Sequence, residues 1–281
     1  MNSKNLSEQI KLAITEDIGD GDHSSISCIP EKTSGQAHLL IKEQGILAGI
    51  KVAILVFHQI DPALELEVFL KDGAKIKNGD VAFIVSGKVL SILQSERLVL
   101  NFMQRMSGIA TTTNKYVKKL EGLKTRILDT RKTTPGLRVF EKMAVKTGGG
   151  ENHRMGLFDM IMLKDNHIEF AGGIKKAINS THTYLESIGK NLKIEIEARN
   201  LNEIREILET GRINRIMLDN FTLNDTRKAI KLINGKYETE SSGGITLETI
   251  RDYAECGVDY ISIGALTHQI HSLDMSLKAL N

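Results

Sequence analysis

Hydrophobic and polar positions follow two different rhythms along the chain. Over the first third, short apolar or alternating runs at 36–41, 64–70 and 81–85 are punctuated by turn signals at Gly45, Asp72-Gly73 and Asn78-Gly79-Asp80, which predicts a mostly strand-like region. From Ser91 to about Leu120 there is no proline and a single glycine, Gly108. Apolar positions there recur at helical spacing: Ile92, Leu93, Leu98, Val99, Phe102, Met103, Met106 and Ile109. One or two helices are expected, closing a first domain near residue 110, with Phe102, Met103 and Met106 as core filling. No proline-rich or glycine-serine linker marks the boundary.

The second part repeats a unit. Candidate strands at 126–129, 160–164, 194–197, 215–219, 239–242 and 260–264 each end in a polar or small residue, and helix-like stretches follow at 201–209, 223–233 and 247–256. The last four runs end at 197, 219, 242 and 264, the period of one βα unit with short loops. Thr222 and Thr246 read as helix N-caps, and Gly211, Gly235 and Gly257 as stops. Five or six such units predict a parallel, barrel-like β/α domain, with an open doubly wound sheet as the competing arrangement.

Composition narrows the class. The 281 residues are 41% hydrophobic and 26% charged with a net charge of +2, a globular profile without the basic excess of a dedicated nucleic-acid binder. Two cysteines, Cys28 and Cys256, are too few for a disulfide framework or a structural zinc site and point to a reducing, cytoplasmic setting. No apolar run is long enough for a bilayer, and Glu8, Glu16 and Asp17 make the first residues unlike a signal peptide.

Chemistry gathers at the predicted strand ends, where β/α barrels carry their active sites: Asp129, Lys164, Glu195 or Glu197, Asp219 and Ser242. Glu195 and Glu197 share a strand face. Two carboxylates facing an interior need cations, supplied by Lys164 and neighbouring basic residues or by a divalent metal bound through water; Glu195 reads as one half of a structural ion pair. The densest segment runs from Arg131 to Arg154. Arg131, Lys132, Arg138, Lys142, Lys146 and Arg154 face only Glu141 and Glu151, a local charge of +4 that leaves −2 over the remainder. A cationic pocket in a balanced chain suits a small polyanion rather than a long nucleic acid. Gly148 to Gly150 would let backbone amides approach it. Ser242-Gly243-Gly244 and Gly264-Ala265 follow consecutive strands, where barrel phosphate sites are built. His23, His38, His58, His182, His268 and His271 lack metal-ligand spacing.

Together these residues resemble the quinolinate phosphoribosyltransferase family, the carboxylating nicotinate-nucleotide pyrophosphorylases. The resemblance runs in order through Glu16-Asp-Ile-Gly-Asp-Gly-Asp22, Leu100-Asn-Phe-Met-Gln-Arg-Met-Ser-Gly-Ile-Ala110, Asp129-Thr-Arg-Lys-Thr-Thr-Pro-Gly-Leu-Arg138 and Gly148-Gly-Gly-Glu-Asn-His-Arg154. It continues through Lys164-Asp-Asn-His167, Leu218-Asp-Asn220, Ser242-Gly-Gly-Ile-Thr246 and Ile263-Gly-Ala-Leu-Thr267. Departures are Ser24-Ser25 for threonines, Met143 for an aromatic residue and Lys146 for arginine.

The resemblance implies an N-terminal α/β sandwich domain (1–110, joined by a C-terminal helix 267–281) and an open parallel β/α barrel (111–266). It implies a homodimer with shared active sites, alone or built into a hexamer. Arg105 would reach into the partner's site, while Arg131, His153, Arg154 and Lys164 surround the two carboxylates of quinolinate. Lys132 and Lys164 would face phosphoribosyl pyrophosphate, with Thr130 also binding substrate. Glu197 and Asp219 would hold the ribose hydroxyls and Mg2+, mostly through water. Ser242, Gly243, Gly244, Ile263, Gly264 and Ala265 would cradle the 5′-phosphate. Lys132, Lys164, Glu197 and Asp219 are the implied catalytic residues. The implied reaction is a pentosyl transfer giving nicotinate mononucleotide, pyrophosphate and CO2 in de novo NAD biosynthesis, with no organic cofactor.

The competing readings are a molybdenum-transport-associated relative of the same fold group, a nicotinate-specific relative, and a non-catalytic anion- or nucleic-acid-binding module. Arg131, Arg154 and the Lys-Asp-Asn-His run favour the dicarboxylate enzyme over the first two. Acidic strand ends and near-zero net charge count against the third.

Overall fold

The structure, a computed structural model, describes residues 3–280. In chain order it comprises α1 (Ser3–Ile18), α2 (His23–Cys28), β1 (Ser34–Ile41), β2 (Gly45–Ile46), α3 (Ile50–Ile60), β3 (Glu65–Val68), β4 (Lys75–Ile76), β5 (Val81–Lys88), α4 (Val89–Lys119), β6 (Arg126–Leu128), α5 (Arg138–Thr147) and β7 (Ile161–Leu163). There follow α6 (Asp165–Ala171), α7 (Ile174–Ser187), β8 (Ile194–Ala198), α8 (Leu201–Thr210), β9 (Arg215–Asp219), α9 (Leu223–Ile233), β10 (Glu238–Ser242), α10 (Ile250–Ala254), β11 (Tyr260–Ser262), α11 (Ala265–His268) and β12 (Met275–Leu280). Two compact units result, one from 1–114, 133–149 and 266–281, the other from 115–132 and 150–265.

The first unit is built on an antiparallel sheet of order β12-β1-β5-β3. Its edge strand β12 replaces the helix expected over 267–281. Met275 and Leu277 are buried while Ser276 and Lys278 are less so, a period-two pattern that matches a sheet edge and not a helix face. The stretch 91–120 is one helix, not two. Its one glycine permits a close crossing: a Cβ on Gly108 would lie 2.1 Å from the His271 carbonyl oxygen. Phe102, Met103 and Met106 are buried as expected. Within the basic segment 131–154 lies α5, whose Val139, Phe140, Ala144 and Val145 are buried in the first unit.

The second unit is a parallel sheet of order β6-β11-β10-β9-β8-β7. Register sets its two faces. Ile196, Ile216, Thr239, Leu218, Ser241 and Ile261 are lateral neighbours on one face, while Glu195, Arg215 and Glu238 align on the other, followed by Glu197, Met217, Glu240 and Tyr260. The interior therefore carries charge where barrels of this class usually carry branched aliphatics. The surrounding helices begin on side-chain caps, Asn200 accepting from the Asn202 and Glu203 amides and Thr222 from Asp225. The last such helix, α10, is shorter than the expected 247–256. Thr246 opens a turn instead, and Thr249 occupies the cap position.

Candidate active site

Most of the predicted site residues follow the carboxyl ends of these strands; His153 and Arg154 lie on the segment between α5 and β7, and Arg105 belongs to the first unit. The Asp129 carboxylate, at the end of β6 and fully buried, accepts the His153 amide at 2.9 Å. The His153 ring then accepts the Arg154 amide through Nδ1 at 2.7 Å. Two successive main-chain amides are thus fixed by side chains, which sets where Arg154 leaves the backbone.

The other edge of the imidazole faces acids. His153 Nε2 lies 2.9 Å from Glu195 and 3.4 Å from Glu240, and all three side chains are buried. Arg215 Nη1 stands 2.9 Å from Glu240 and 3.9 Å from Glu195, with Nη2 3.2 Å from Glu238. Arg126 and Arg215 both stack on the Tyr260 ring, at 4.5 and 4.0 Å. Burial lowers the His153 pKa, but Glu195 and Glu240 outweigh it and lift it to about 9. Burial and the neighbouring Glu240 push Glu195 up in turn. One imidazole and two carboxylates could chelate a metal by spacing alone. Arg215 already supplies the counter-charge, so the cluster is read as an ion network, and Glu195 as the structural partner its pattern suggested.

Above this floor the cations gather. The Arg154 pKa is lowered by its partial burial and by the neighbouring positive charge of Arg131, which makes the two guanidinia electrostatic neighbours; Glu195 and Glu197 act on it in the opposite sense. Lys164, at the end of β7, pairs with Glu197, whose side chain is 8% exposed against 46% for the lysine. Thr130 accepts the Lys132 amide at 3.0 Å, and Arg131 and Lys132 are exposed. Asp219 ends β9 beside Ser242 and accepts from the Asn220 side chain at 3.0 Å. Other basic residues of the dense segment are elsewhere: Arg138, Lys142 and Lys146 lie on α5 in the first unit, and Lys142 is fully buried.

The loop after β10 is shaped by a contact that sequence did not suggest. Gly243 has φ +97°, and a Cβ there would meet Asn220 Oδ1 at 2.2 Å. Asn220, itself at φ +54°, donates its amide to the Ser242 carbonyl at 2.9 Å. Gly244 is open, with φ +60°. Ile263 donates to the Leu128 carbonyl at 3.0 Å, and Gly264 and Ala265 follow at the entry to α11. A cavity of about 340 Å³ opens beside Asn220. Its arginines are engaged, Arg199 by Glu169 and Glu203 and Arg205 by Asn202.

Arg105, on α4, donates from Nε to Glu141 at 2.9 Å and from Nη2 to Thr134 Oγ1 at 2.7 Å. Arg215, Glu240, Glu141 and Asn220 are the residues that sequence reasoning left without a role. For Glu240 a signal existed, carboxylates at alternating positions of one strand, Glu238 and Glu240.

A parallel β/α unit with cations and carboxylates at its strand ends, and glycine turns after its last strands, has the features of an anion-binding β/α protein. Comparison with known proteins gives the particular family. The profile described as Quinolinate phosphoribosyl transferase, C-terminal domain, matches residues 109–278, and its N-terminal-domain counterpart matches 22–107. The chain belongs to the quinolinate phosphoribosyltransferase family. It is 48% identical to quinolinate phosphoribosyltransferase [decarboxylating] 1b of Nicotiana tabacum, over 96% of this chain and 81% of that one. It is 46% identical to the chloroplastic nicotinate-nucleotide pyrophosphorylase [carboxylating] of Arabidopsis thaliana, over 97% and 82%. The crystal structure of NadC from Streptococcus pyogenes superposes with a TM-score of 0.93 at 38% identity, covering 100% of this chain and 99% of that one.

Proposed function

We infer that the protein transfers the phosphoribosyl group of phosphoribosyl pyrophosphate to quinolinate with loss of CO2, giving nicotinate mononucleotide for NAD biosynthesis. The observation that carries this is the gathering of Arg131, Arg154 and Lys164 around Glu197 in a chain of this family. A dicarboxylate suits paired guanidinia, each able to bind one carboxylate in a forked hydrogen bond. The quinolinate nitrogen bonds to C1 of the ribose as the C1–oxygen bond to pyrophosphate breaks. Positive charge developing on the sugar faces Glu197 and Asp219, and Lys132 with Lys164 faces the departing phosphates. As the 2-carboxylate leaves as CO2, the electron pair of the broken carbon–carbon bond stays on C2, stabilised by the adjacent cationic ring nitrogen, and C2 then takes a proton from solvent. That step needs orientation and field, and no nucleophilic Ser or Cys.

Glu197 and Asp219 offer hard oxygen donors on adjacent strands, a donor set that fits hydrated Mg2+. Bound there with the sugar donor, the ion would neutralise pyrophosphate charge. Ser242 to Gly244 with Ile263 to Ala265 would take the 5′-phosphate. His153 would contribute to the quinolinate pocket chiefly through the Arg154 amide it holds.

Three large apolar side chains that the second unit leaves in solvent, Leu157, Phe158 and Phe170, support a homodimer. Arg105 would then serve the partner's site. Arg105→Ala and Lys164→Ala proteins should each be poor and regain activity on mixing; no recovery with heterodimers confirmed argues against sharing. None of the helices among the described residues is long and apolar enough to cross a membrane, which agrees with a cytoplasmic enzyme. Incubation with quinolinate, phosphoribosyl pyrophosphate and magnesium should yield nicotinate mononucleotide. Pure folded protein that yields none rejects the reading.

A further inference from the structure

Glu141 is an acid for which the proposed chemistry has no use. It lies in the first turn of α5 and its side chain is 1% exposed. A carboxylate this deeply buried needs charge and hydrogen bonds to offset its lost hydration. Both come from two separate places. Oε1 accepts from Arg105 through Nε at 2.9 Å and through Nη2 at 2.5 Å, so the guanidinium edge is held by two of its nitrogens. Oε2 accepts the Thr134 amide at 3.2 Å. Arg105 Nη2 also reaches the Thr134 hydroxyl at 2.7 Å, closing a triangle of side chain, side chain and loop. Thr134 lies two residues beyond Lys132, in the run that begins with Thr130 and Arg131.

We propose that Glu141 is a positioning residue for quinolinate binding, fixing the Arg105 guanidinium against the Thr134 end of the basic loop. This rests on the reading of the site given above. The geometry sets the consequence. A guanidinium held on one edge keeps its remaining N–H groups pointed in one direction, and the ordering of a long, rotamer-rich side chain is completed before ligand arrives. Glu141→Gln keeps the shape but turns one oxygen into an amide nitrogen. That group cannot accept from both Arg105 and the Thr134 amide, so one of the two contacts is lost.

The test is a double-mutant cycle on the full-length enzyme: wild type, Glu141→Gln, Arg105→Met and both together. The readouts are KM for quinolinate, KM for phosphoribosyl pyrophosphate, kcat and melting temperature. Glu141→Gln is expected to raise the quinolinate KM about tenfold with the phosphoribosyl pyrophosphate KM unchanged, and to add less than twofold on top of Arg105→Met. Glu141→Asp, which keeps the carboxylate one carbon shorter, should fall between wild type and Glu141→Gln. An unchanged or lowered quinolinate KM in Glu141→Gln overturns the proposal, as does a full multiplicative effect in the double variant. So does a lowered melting temperature with wild-type KM values, the mark of a purely structural acid. If Glu141→Gln does not fold, Glu141→Asp is measured in its place, and a wild-type quinolinate KM there overturns the proposal. A wild type with no quinolinate-dependent product instead rejects the functional reading, and the proposal falls with it.

Discussion

Replacing Arg215 with methionine removes the cation from the interior of the second unit and leaves a linear apolar chain in its place. In the native protein that guanidinium stands 2.9 Å from Glu240 and 3.9 Å from Glu195, both 0% exposed. Deleting one partner of a buried ion pair costs about 3–5 kcal/mol, because an uncompensated charge remains. His153 already faces the same two acids and offsets only part of the loss. At about 3 °C per kcal/mol for a unit of this size, the melting temperature near neutral pH should fall by roughly 9–15 °C. The deficit has a sign in pH. Arg215 favours the charged form of both acids, so without it they take up protons at higher pH than in wild type, and a neutral carboxyl needs no counter-charge. The gap between variant and wild type should therefore narrow as pH falls towards the ordinary carboxylate range. Scanning calorimetry at two pH values measures both. A variant within about 3 °C of wild type, with the same gap at each pH, would show that Arg215 does not balance this network.

Other outcomes follow from the same geometry. Folded His153 retains a proton up to about pH 9 that an unfolded histidine loses near 6.5, so stability should decline as pH rises across that window; a flat denaturation midpoint contradicts this. Gly243→Ala introduces strain of about 1–3 kcal/mol at a positive φ and a Cβ 2.2 Å from Asn220. Its KM for phosphoribosyl pyrophosphate should rise with quinolinate binding spared, and an unchanged value removes this loop from the phosphate site. Neutralising Arg131 or Arg154 should weaken quinolinate binding by about 1.5–3 kcal/mol for each charged hydrogen bond lost. Calorimetric titration that finds wild-type affinity would exclude that residue.

Much of the second unit was legible because its strands recur at a fixed period and end in polar residues, and Thr222 and Gly211 mark helix ends by local chemistry alone. The terminal elements were not. Residues 275–280 form a strand only because β1 offers an edge to pair with, a long-range fact that local pattern does not contain. Helix α5 hid inside a run of basic residues read for its charge, although Val139, Phe140, Ala144 and Val145 carry a helical stripe. The candidate site residues legible in the sequence were those with distinctive neighbours there. Arg215 and Glu240 come from different strands and acquire meaning only when register sets them 2.9 Å apart. Glu141 was counted merely as a charge opposing the basic run, since its partner Arg105 lies on another helix.

The central claim, that one site grips a pyridine dicarboxylate and a sugar pyrophosphate and joins them with loss of a single carboxyl, is tested most directly by isotope. Quinolinate labelled with carbon-13 in its 2-carboxylate should deliver all of the label to CO2, with one pyrophosphate and one unlabelled nicotinate mononucleotide formed per label released. Label retained in the nucleotide, or nicotinate accepted in place of quinolinate with no CO2 formed, would contradict the account.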